Sequence, residues 1–156
     1  MKIGVIMGGI SSEREISLKS GEQVLLNLNR DKYEEIIPII IDSKSEVVEK
    51  VKGIDFAFLA LHGQFGEDGT IQGLLETMGI PYSGCKVLPS AICMNKGLTK
   101  RIVKTVGVNT AKWLIVKSAG EIDYKKIREL QYPVFIKPNN GGSSVCLLYT
   151  SPSPRD

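Results

Sequence analysis

A short apolar segment runs into a glycine- and serine-rich loop near the carboxyl end of the chain. Residues 133–137 read PVFIK and residues 138–145 read PNNGGSSV. Backbone N–H groups of glycines and small hydroxyl residues can approach phosphate oxygens closely, and Lys137 adds a positive charge whose position is set by rigid backbone. The pattern predicts a phosphate site. An ordinary surface lysine followed by an Asn-Gly turn is the alternative.

Two other polar, glycine-punctuated loops follow predicted strands in the first half of the chain. They read GGISSERE at residues 8–15 and HGQFGEDG at residues 62–69. Ligands gather at the carboxyl ends of the strands in an open parallel sheet. Both loops are therefore expected to face one cleft.

Glu13, in the first of these loops, allows two interpretations. Ser12 and Glu15 match a capping box, which predicts that Glu13 lies in the first turn of a helix, where a carboxylate complements the helix dipole. The alternative is a carboxylate kept ionised at the mouth of the cleft to bind a cationic group such as an ammonium. The pattern by itself favours the first interpretation.

The second loop and the segment after it contain further candidates. His62 is the only histidine in the chain, and a histidine at a strand end is as often structural as catalytic. Glu67 and Asp68 could bind a metal ion, although a helix cap is the expected role of Asp68. Lys96 precedes a predicted helix and, like Lys137, is either a surface lysine or a functional one.

The elements that must position these residues follow a strand–helix succession. Strands are predicted at 2–7, 36–41 and 56–61, and helices at 12–28, 47–51 and 71–78. This order indicates an α/β protein with a parallel sheet, and Pro38 indicates that the second strand is an edge strand or contains a bulge. A first domain is expected to end near Met94.

The rest of the chain is predicted to begin a second domain. A helix over 98–106, an apolar segment at 111–116, a helix near 121–130 and a strand at 133–137 follow one another. Too few elements are present to cover the apolar faces, so we expect exposed hydrophobic surface and a tendency to aggregate after Met94. Residues 146–156 show neither a helical nor a strand period.

Composition excludes several classes of protein. The chain has 156 residues, 42% hydrophobic and 24% charged, as soluble globular proteins do. Its net charge of +3 is too small and dispersed to indicate nucleic-acid binding, and no segment has the length of a signal peptide or a membrane span. Three cysteines without metal spacing favour a reducing cytoplasm, with Cys85 and Cys93 as packing residues. Neither a P-loop nor the G-x-G-x-x-G spacing of a dinucleotide fold is present.

Several separated motifs together resemble the D-alanine–D-alanine ligases. They are VIMGGISSEREIS at 5–17, ALHG at 60–63, GEDGTIQG at 66–73, PYSG at 81–84, MNK at 94–96, FIKP at 135–138 and GSSV at 142–145. The resemblance covers residues 1–145 in the family's order. It implies a Rossmann-like N-terminal substrate domain (the pre-ATP-grasp domain) over 1–94, followed by the start of an ATP-grasp domain over 95–145.

The resemblance also implies a reaction and roles for individual residues. In this family ATP phosphorylates the carboxylate of one D-alanine, and the amine of a second D-alanine attacks the acyl phosphate to form the dipeptide for peptidoglycan. Glu13 aligns with the glutamate that binds the ammonium of the first D-alanine, and Ser143 with the serine that bonds this glutamate and orients the second substrate. Lys96 and Lys137 align with lysines that contact ATP phosphates. His62 aligns with a substrate-pocket histidine.

Further positions are expected to contribute, and others depart from the family. Gly142 is expected to help bind ATP and Ser144 to help bind substrate. Cys146 stands where the family has glycine, and 146–156 are interpreted as a non-native tail. The family's lid tyrosine, its transition-state arginine and the ligands of Mg²⁺ or Mn²⁺ are missing, so the chain by itself is expected to be inactive.

Three alternatives stay open at this point. A relative that joins D-alanine to D-lactate or D-serine would share these motifs, and a short, non-catalytic ligand-binding module would retain the first domain. An NAD-binding domain is disfavoured because the glycine fingerprint is absent. The resemblance further implies a cytoplasmic protein and a possible homodimer.

Overall fold

A computed structural model of the chain describes residues 1–141 and the backbone of residues 148–149. The chain divides into two compact units, Met1–Met94 and a second that begins at Asn95. Within the part of the chain so described, no helix is both long and apolar enough to cross a membrane.

The first unit is built on a three-stranded parallel sheet. Its strands are β1 (Lys2–Gly8), β2 (Glu35–Ile41) and β3 (Phe56–Leu59), in the order β2-β1-β3. Ile3 of β1 is aligned with Ile36 of β2 and Phe56 of β3. The predicted α/β class and parallel sheet are confirmed. Pro38 lies in β2, an edge strand of this sheet, which is a position where a residue without an N–H is tolerated.

Strand β1 is buried on both faces because helices cover each side of the sheet. Ile3, Val5 and Met7 face one cluster, and Ile6 faces the other. Helix α1 (Arg14–Asn27) packs on the first face. It approaches closely at Gly21, where an added Cβ would lie 2.7 Å from Cβ of Met7.

The second face of the sheet is covered by α2 (Val47–Lys50) and α3 (Thr70–Thr77). Val47, Val51, Ile71 and Leu75 are fully buried against Ile6. Short 3₁₀ helices at Arg30–Lys32 and Lys44–Glu46 precede β2 and α2. The helices predicted from apolar spacing are therefore present.

Helix α4 (Val87–Met94) ends the first unit and was not predicted. Its apolar residues leave no polar face with helical spacing, so periodicity has nothing to detect. Cys85 and Cys93 are exposed free thiols, and the expectation that they are packing residues was wrong. Leu88 in the same segment is also largely exposed.

In the second unit, α5 (Lys96–Thr105) and α6 (Tyr124–Leu130) match the predicted helices, with a 3₁₀ helix at Ala119–Glu121. Residues 111–116 belong to no helix or strand. Strand β4 (Phe135–Ile136) pairs antiparallel with β5 (Leu148–Tyr149), in a segment to which the sequence analysis gave no strand. Apolar side chains are exposed as expected, among them Val106, Val108, Phe135 and Ile136.

Candidate functional site

One buried serine joins the carboxyl ends of two strands in the first unit. The Ser17 hydroxyl accepts a hydrogen bond from the Gly8 N–H (2.9 Å) and donates to the Ala60 carbonyl (2.7 Å). Ser17 is fully buried on the inner face of α1. Because Gly8 ends β1 and Ala60 follows β3, this hydroxyl holds together the two loops that carry Glu13 and His62.

Glu13 begins α1, but not in the predicted way. It occupies the N-cap position itself, and no side chain caps the helix, so the Ser12–Glu15 capping box was wrong. Ser11, rather than Ser12, makes the local contacts: its hydroxyl accepts from the Glu13 N–H (3.1 Å) and donates to the His62 carbonyl (2.7 Å). The two loops are thereby hydrogen-bonded to each other.

The Glu13 side chain turns into the protein and is only 3% exposed. Its Oε1 atom is buried without a hydrogen-bond partner among the described residues. Its Oε2 atom lies against Gly63, where an added Cβ would collide with it. A buried carboxylate oxygen without a donor is costly, so a donor from a ligand or from a water molecule is expected at this atom.

His62 lies between a hydroxyl and a carboxylate. Its Nε2 atom is 2.9 Å from the Ser20 hydroxyl, and its Nδ1 atom is 3.9 Å from Oε1 of Glu67. The other oxygen of Glu67 accepts a hydrogen bond from the Gly63 N–H (2.6 Å). The first-unit residues Glu13, His62 and Glu67, with Gly63 between them, therefore form one connected cluster.

Asp68 is not the N-cap of α3 that the sequence predicted, because Gly69 occupies that position, but its carboxylate still binds the start of the helix. Its carboxylate accepts hydrogen bonds from the Phe65 N–H (2.8 Å) and from the N–H of Thr70, the first residue of α3 (3.0 Å). Burial by itself raises the pKa of Asp68, but these bonds, a bond from the Thr70 hydroxyl and the charge of Lys44 together hold the pKa below its usual range. Over residues 1–141, no group of three or more His, Cys, Asp or Glu side chains could hold a metal ion.

In the second unit, the start of α5 is tied to the loop that follows β4. The Lys96 N–H donates to the Asn139 carbonyl (3.0 Å), and the Gly97 N–H donates to the Asn139 side-chain oxygen (3.0 Å). The Lys96 ammonium donates to the Gly141 carbonyl. Asn95 caps the helix by accepting from the Leu98 N–H (2.9 Å). Lys96 is thereby held beside the first residues of the predicted phosphate loop.

Lys137 is exposed, and its ammonium lies 5.4 Å from the centroid of the Phe135 ring. Among the described residues, no carboxylate pairs with Lys137 or Lys96. Gly142, Ser143 and Ser144 lie outside the described residues, so their roles stay predictions.

The polar residues that hold the candidates in place were not predicted from the sequence. Ser17 and Ser20 follow Glu13 at i+4 and i+7, which puts all three on one face of α1. That spacing was a usable signal for the two serines. Ser11 and Asn139 lie in loops, and their contacts depend on loop conformations that residue spacing does not indicate.

Comparisons with known proteins agree with this geometry. The family model described as "D-ala D-ala ligase N-terminus" matches residues 2–50 and 42–85. A D-alanine–D-alanine ligase of Clostridium perfringens is 66% identical over 145 residues, which are 93% of this chain and 48% of that protein. The chain thus spans about half the length of the curated relatives it matches.

Solved structures give the same result. The D-alanine–D-alanine ligase of Bacillus anthracis is 46% identical with a TM-score of 0.88, over 98% of this chain and 50% of that one. The same enzyme complexed with ATP has a TM-score of 0.85, over 96% and 50% of the two chains. The VanG D-Ala:D-Ser ligase of Enterococcus faecalis is 34% identical with a TM-score of 0.75, over 95% and 55%. The chain therefore belongs to the D-alanine–D-alanine ligase family, of which it contains the N-terminal region.

Proposed function

We propose that this chain is part of an ATP-dependent ligase that joins two D-alanines for peptidoglycan synthesis. In this reaction the carboxylate of one D-alanine takes the terminal phosphoryl group of ATP. The amine of the second D-alanine then displaces phosphate, which leaves D-alanyl-D-alanine, ADP and phosphate. Family membership and the 66% identity to a D-alanine–D-alanine ligase support the proposal.

The observation that carries the proposal is the unpartnered, buried Oε1 atom of Glu13. An ammonium group offers three N–H donors and a positive charge, so it satisfies this oxygen and compensates the buried charge. Glu13 is therefore assigned to bind the ammonium of the first D-alanine. His62, in the same cluster, is assigned to the same substrate.

The second unit supports an ATP site. Lys96 lies beside the start of the predicted phosphate loop, and Lys137 is exposed just before it. Ammonium groups without carboxylate partners are available to phosphate oxygens, whose charge they offset during phosphoryl transfer. We assign Lys96, Lys137 and Gly142 to ATP, and Ser143 and Ser144 to substrate. The ATP complex of the Bacillus anthracis relative supports the choice of nucleotide.

The described residues do not fit a metal site, because they contain no cluster of three or more metal-ligating side chains. From the resemblance to the family, we propose that the Mg²⁺ or Mn²⁺ ligands belong to the part of the relatives that this chain does not span. On that proposal, the chain alone binds substrate without completing ligation. Purified chain given ATP and D-alanine is expected to release no ADP. D-alanine-dependent ADP release would contradict the assignment of an inactive fragment.

The substrate assignment is tested by titrating D-alanine into the chain and two matched variants. Glu13→Gln removes the charge of the buried carboxylate and is expected to weaken D-alanine binding by roughly 10- to 100-fold. Glu15→Gln removes an exposed carboxylate from the first turn of the same helix and is the control. If Glu13→Gln lowers only the melting temperature and binding is unchanged, Glu13 is structural and the proposal fails.

A second candidate concerns the partner of the first D-alanine. The 34% identity to a D-Ala:D-Ser ligase favours keeping D-serine as an alternative second substrate. We also propose, from the resemblance to the family, that the protein is cytoplasmic and forms a homodimer through the first unit. Gel filtration with light scattering tests the dimer directly.

A further inference from the structure

Helix α1 contacts the 62–67 loop at two places. Near its start, Ser11 and Glu13 meet His62 and Gly63. Two turns later, the Ser20 hydroxyl lies 2.9 Å from Nε2 of His62. The first contact belongs to the proposed substrate site, but the second has no role in that proposal.

The surroundings of the imidazole determine where its proton lies. The Glu67 carboxylate faces Nδ1 at 3.9 Å, and an ionised carboxylate can only accept. A proton on Nδ1 is therefore favoured, which leaves a lone pair on Nε2. The Ser20 hydroxyl is both donor and acceptor and can donate to that lone pair.

We propose that Ser20 is a positioning residue: its hydroxyl donates to Nε2 of His62 and holds the ring in the Nδ1–H tautomer, with that N–H facing Glu67. Glu67 in turn accepts from the Gly63 N–H, and Gly63 lies against the Glu13 carboxylate. Ser20 thus acts on the substrate cluster through His62. This step rests on the proposed function, since His62 meets D-alanine only if the cluster is the D-alanine site.

A purely structural role for Ser20 makes a different prediction. Serine is a poorer helix former than alanine, so Ser20→Ala should stabilise α1 if the hydroxyl only fills space. Under the positioning role, the same change releases the imidazole. The tautomer of the His62 ring, rather than the stability of the protein, therefore distinguishes the two roles.

The test is the imidazole spectrum of the intact chain. His62 is its only histidine, so a long-range nitrogen–proton NMR spectrum contains the signals of one ring. At a pH where the ring is neutral, we expect the Nδ1–H tautomer to dominate in the wild type. Ser20→Ala is expected to shift the population toward Nε2–H, the form that free imidazole side chains favour. Ser20→Thr keeps the hydroxyl and should restore the wild-type pattern.

Ser45→Ala is the matched control, because Ser45 is exposed and its hydroxyl lies 3.1 Å from the Ser43 hydroxyl, away from His62. It should leave the spectrum unchanged. An Nε2–H tautomer in the wild type would overturn the inference, even if Ser20→Ala does not fold. An unchanged tautomer ratio in folded Ser20→Ala would also overturn it.

Titration with D-alanine separates this inference from the proposed function. Ser20→Ala is expected to weaken D-alanine binding about five-fold, with Ser20→Thr close to wild type. Absence of D-alanine binding in the wild type would refute the proposed function and leave the tautomer result standing. A tautomer change without any change in affinity would refute the positioning role.

Discussion

The carboxylate of Glu13 lies directly against the backbone of Gly63. The two residues are far apart in sequence, yet a single Cβ added at Gly63 would collide with Oε2 of Glu13. Gly63 also has a φ of +71°, in the left-handed region that favours glycine. Both the space and the backbone conformation at this position therefore require glycine.

Gly63→Ala is expected to be more costly than an alanine at another left-handed glycine. Gly53→Ala is the matched control, because Gly53 has a φ of +80° and nothing near its added Cβ. Gly53→Ala is expected to lower the stability only through backbone strain, by about 1–2 kcal/mol. Gly63→Ala is expected to lower it further, because the added Cβ collides with Glu13. Urea denaturation measures both. Equal losses of stability would show that the Glu13 side chain moves aside freely.

Removal of the Ser17 hydroxyl should destabilise the carboxyl ends of β1 and β3. Ser17→Ala leaves the Gly8 N–H and the Ala60 carbonyl without their shared buried partner, at a cost of about 1–3 kcal/mol. Urea denaturation of Ser17→Ala beside Ser45→Ala tests this. A Ser17→Ala variant as stable as Ser45→Ala would mean that the hydroxyl is not needed.

Asp68 should contribute a pH-dependent part of the stability. Its pKa is lowered in the folded chain, so its stabilisation is present above the ordinary aspartate pKa of about 4 and is lost as the pH falls through the folded value. The melting temperatures of wild type and Asp68→Asn should therefore differ near neutral pH and converge in acid. Asp31→Asn, which removes an exposed carboxylate outside this loop, is the control. A difference that stays constant with pH would contradict the assigned hydrogen bonds.

Lys137→Ala should weaken the binding of ATP and leave the binding of D-alanine unchanged. The exposed ammonium is proposed to meet ATP phosphates, so its loss should weaken ATP binding by roughly 10-fold and leave D-alanine binding unchanged. Lys117→Ala, at another exposed lysine of the second unit, is the control. Calorimetric titration with each ligand gives the two affinities. Equal losses of ATP binding in both variants would indicate general charge attraction.

Much of the first unit could be predicted from local patterns. Strands such as β1 are continuous apolar runs buried on both faces, and α3 shows apolar residues at helical spacing, so each segment indicates its own conformation. Helix α4 lacks a polar face and left no such signal. The exposure of Cys85 and Cys93 could not be predicted either, because burial depends on which segments pack over a residue.

The environment of Glu13 could be predicted from the sequence only in part. Its residue type and its place at a helix start were visible, and they allowed both a cap and a ligand-binding carboxylate. Its burial, its unpartnered oxygen and its contact with Gly63 depend on a loop that is distant in the chain. The Ser20 contact with His62 could not be predicted either, because it joins two segments that are distant in the chain.

The sequence by itself determined the α/β class, the parallel sheet and the family, because these depend on local periodicity and on motifs in a fixed order. Only the tertiary structure decided which polar groups meet at the ends of β1 and β3. Hydrogen bonds and burial there are set by chain segments that the fold brings together, and local pattern holds no information about such distances.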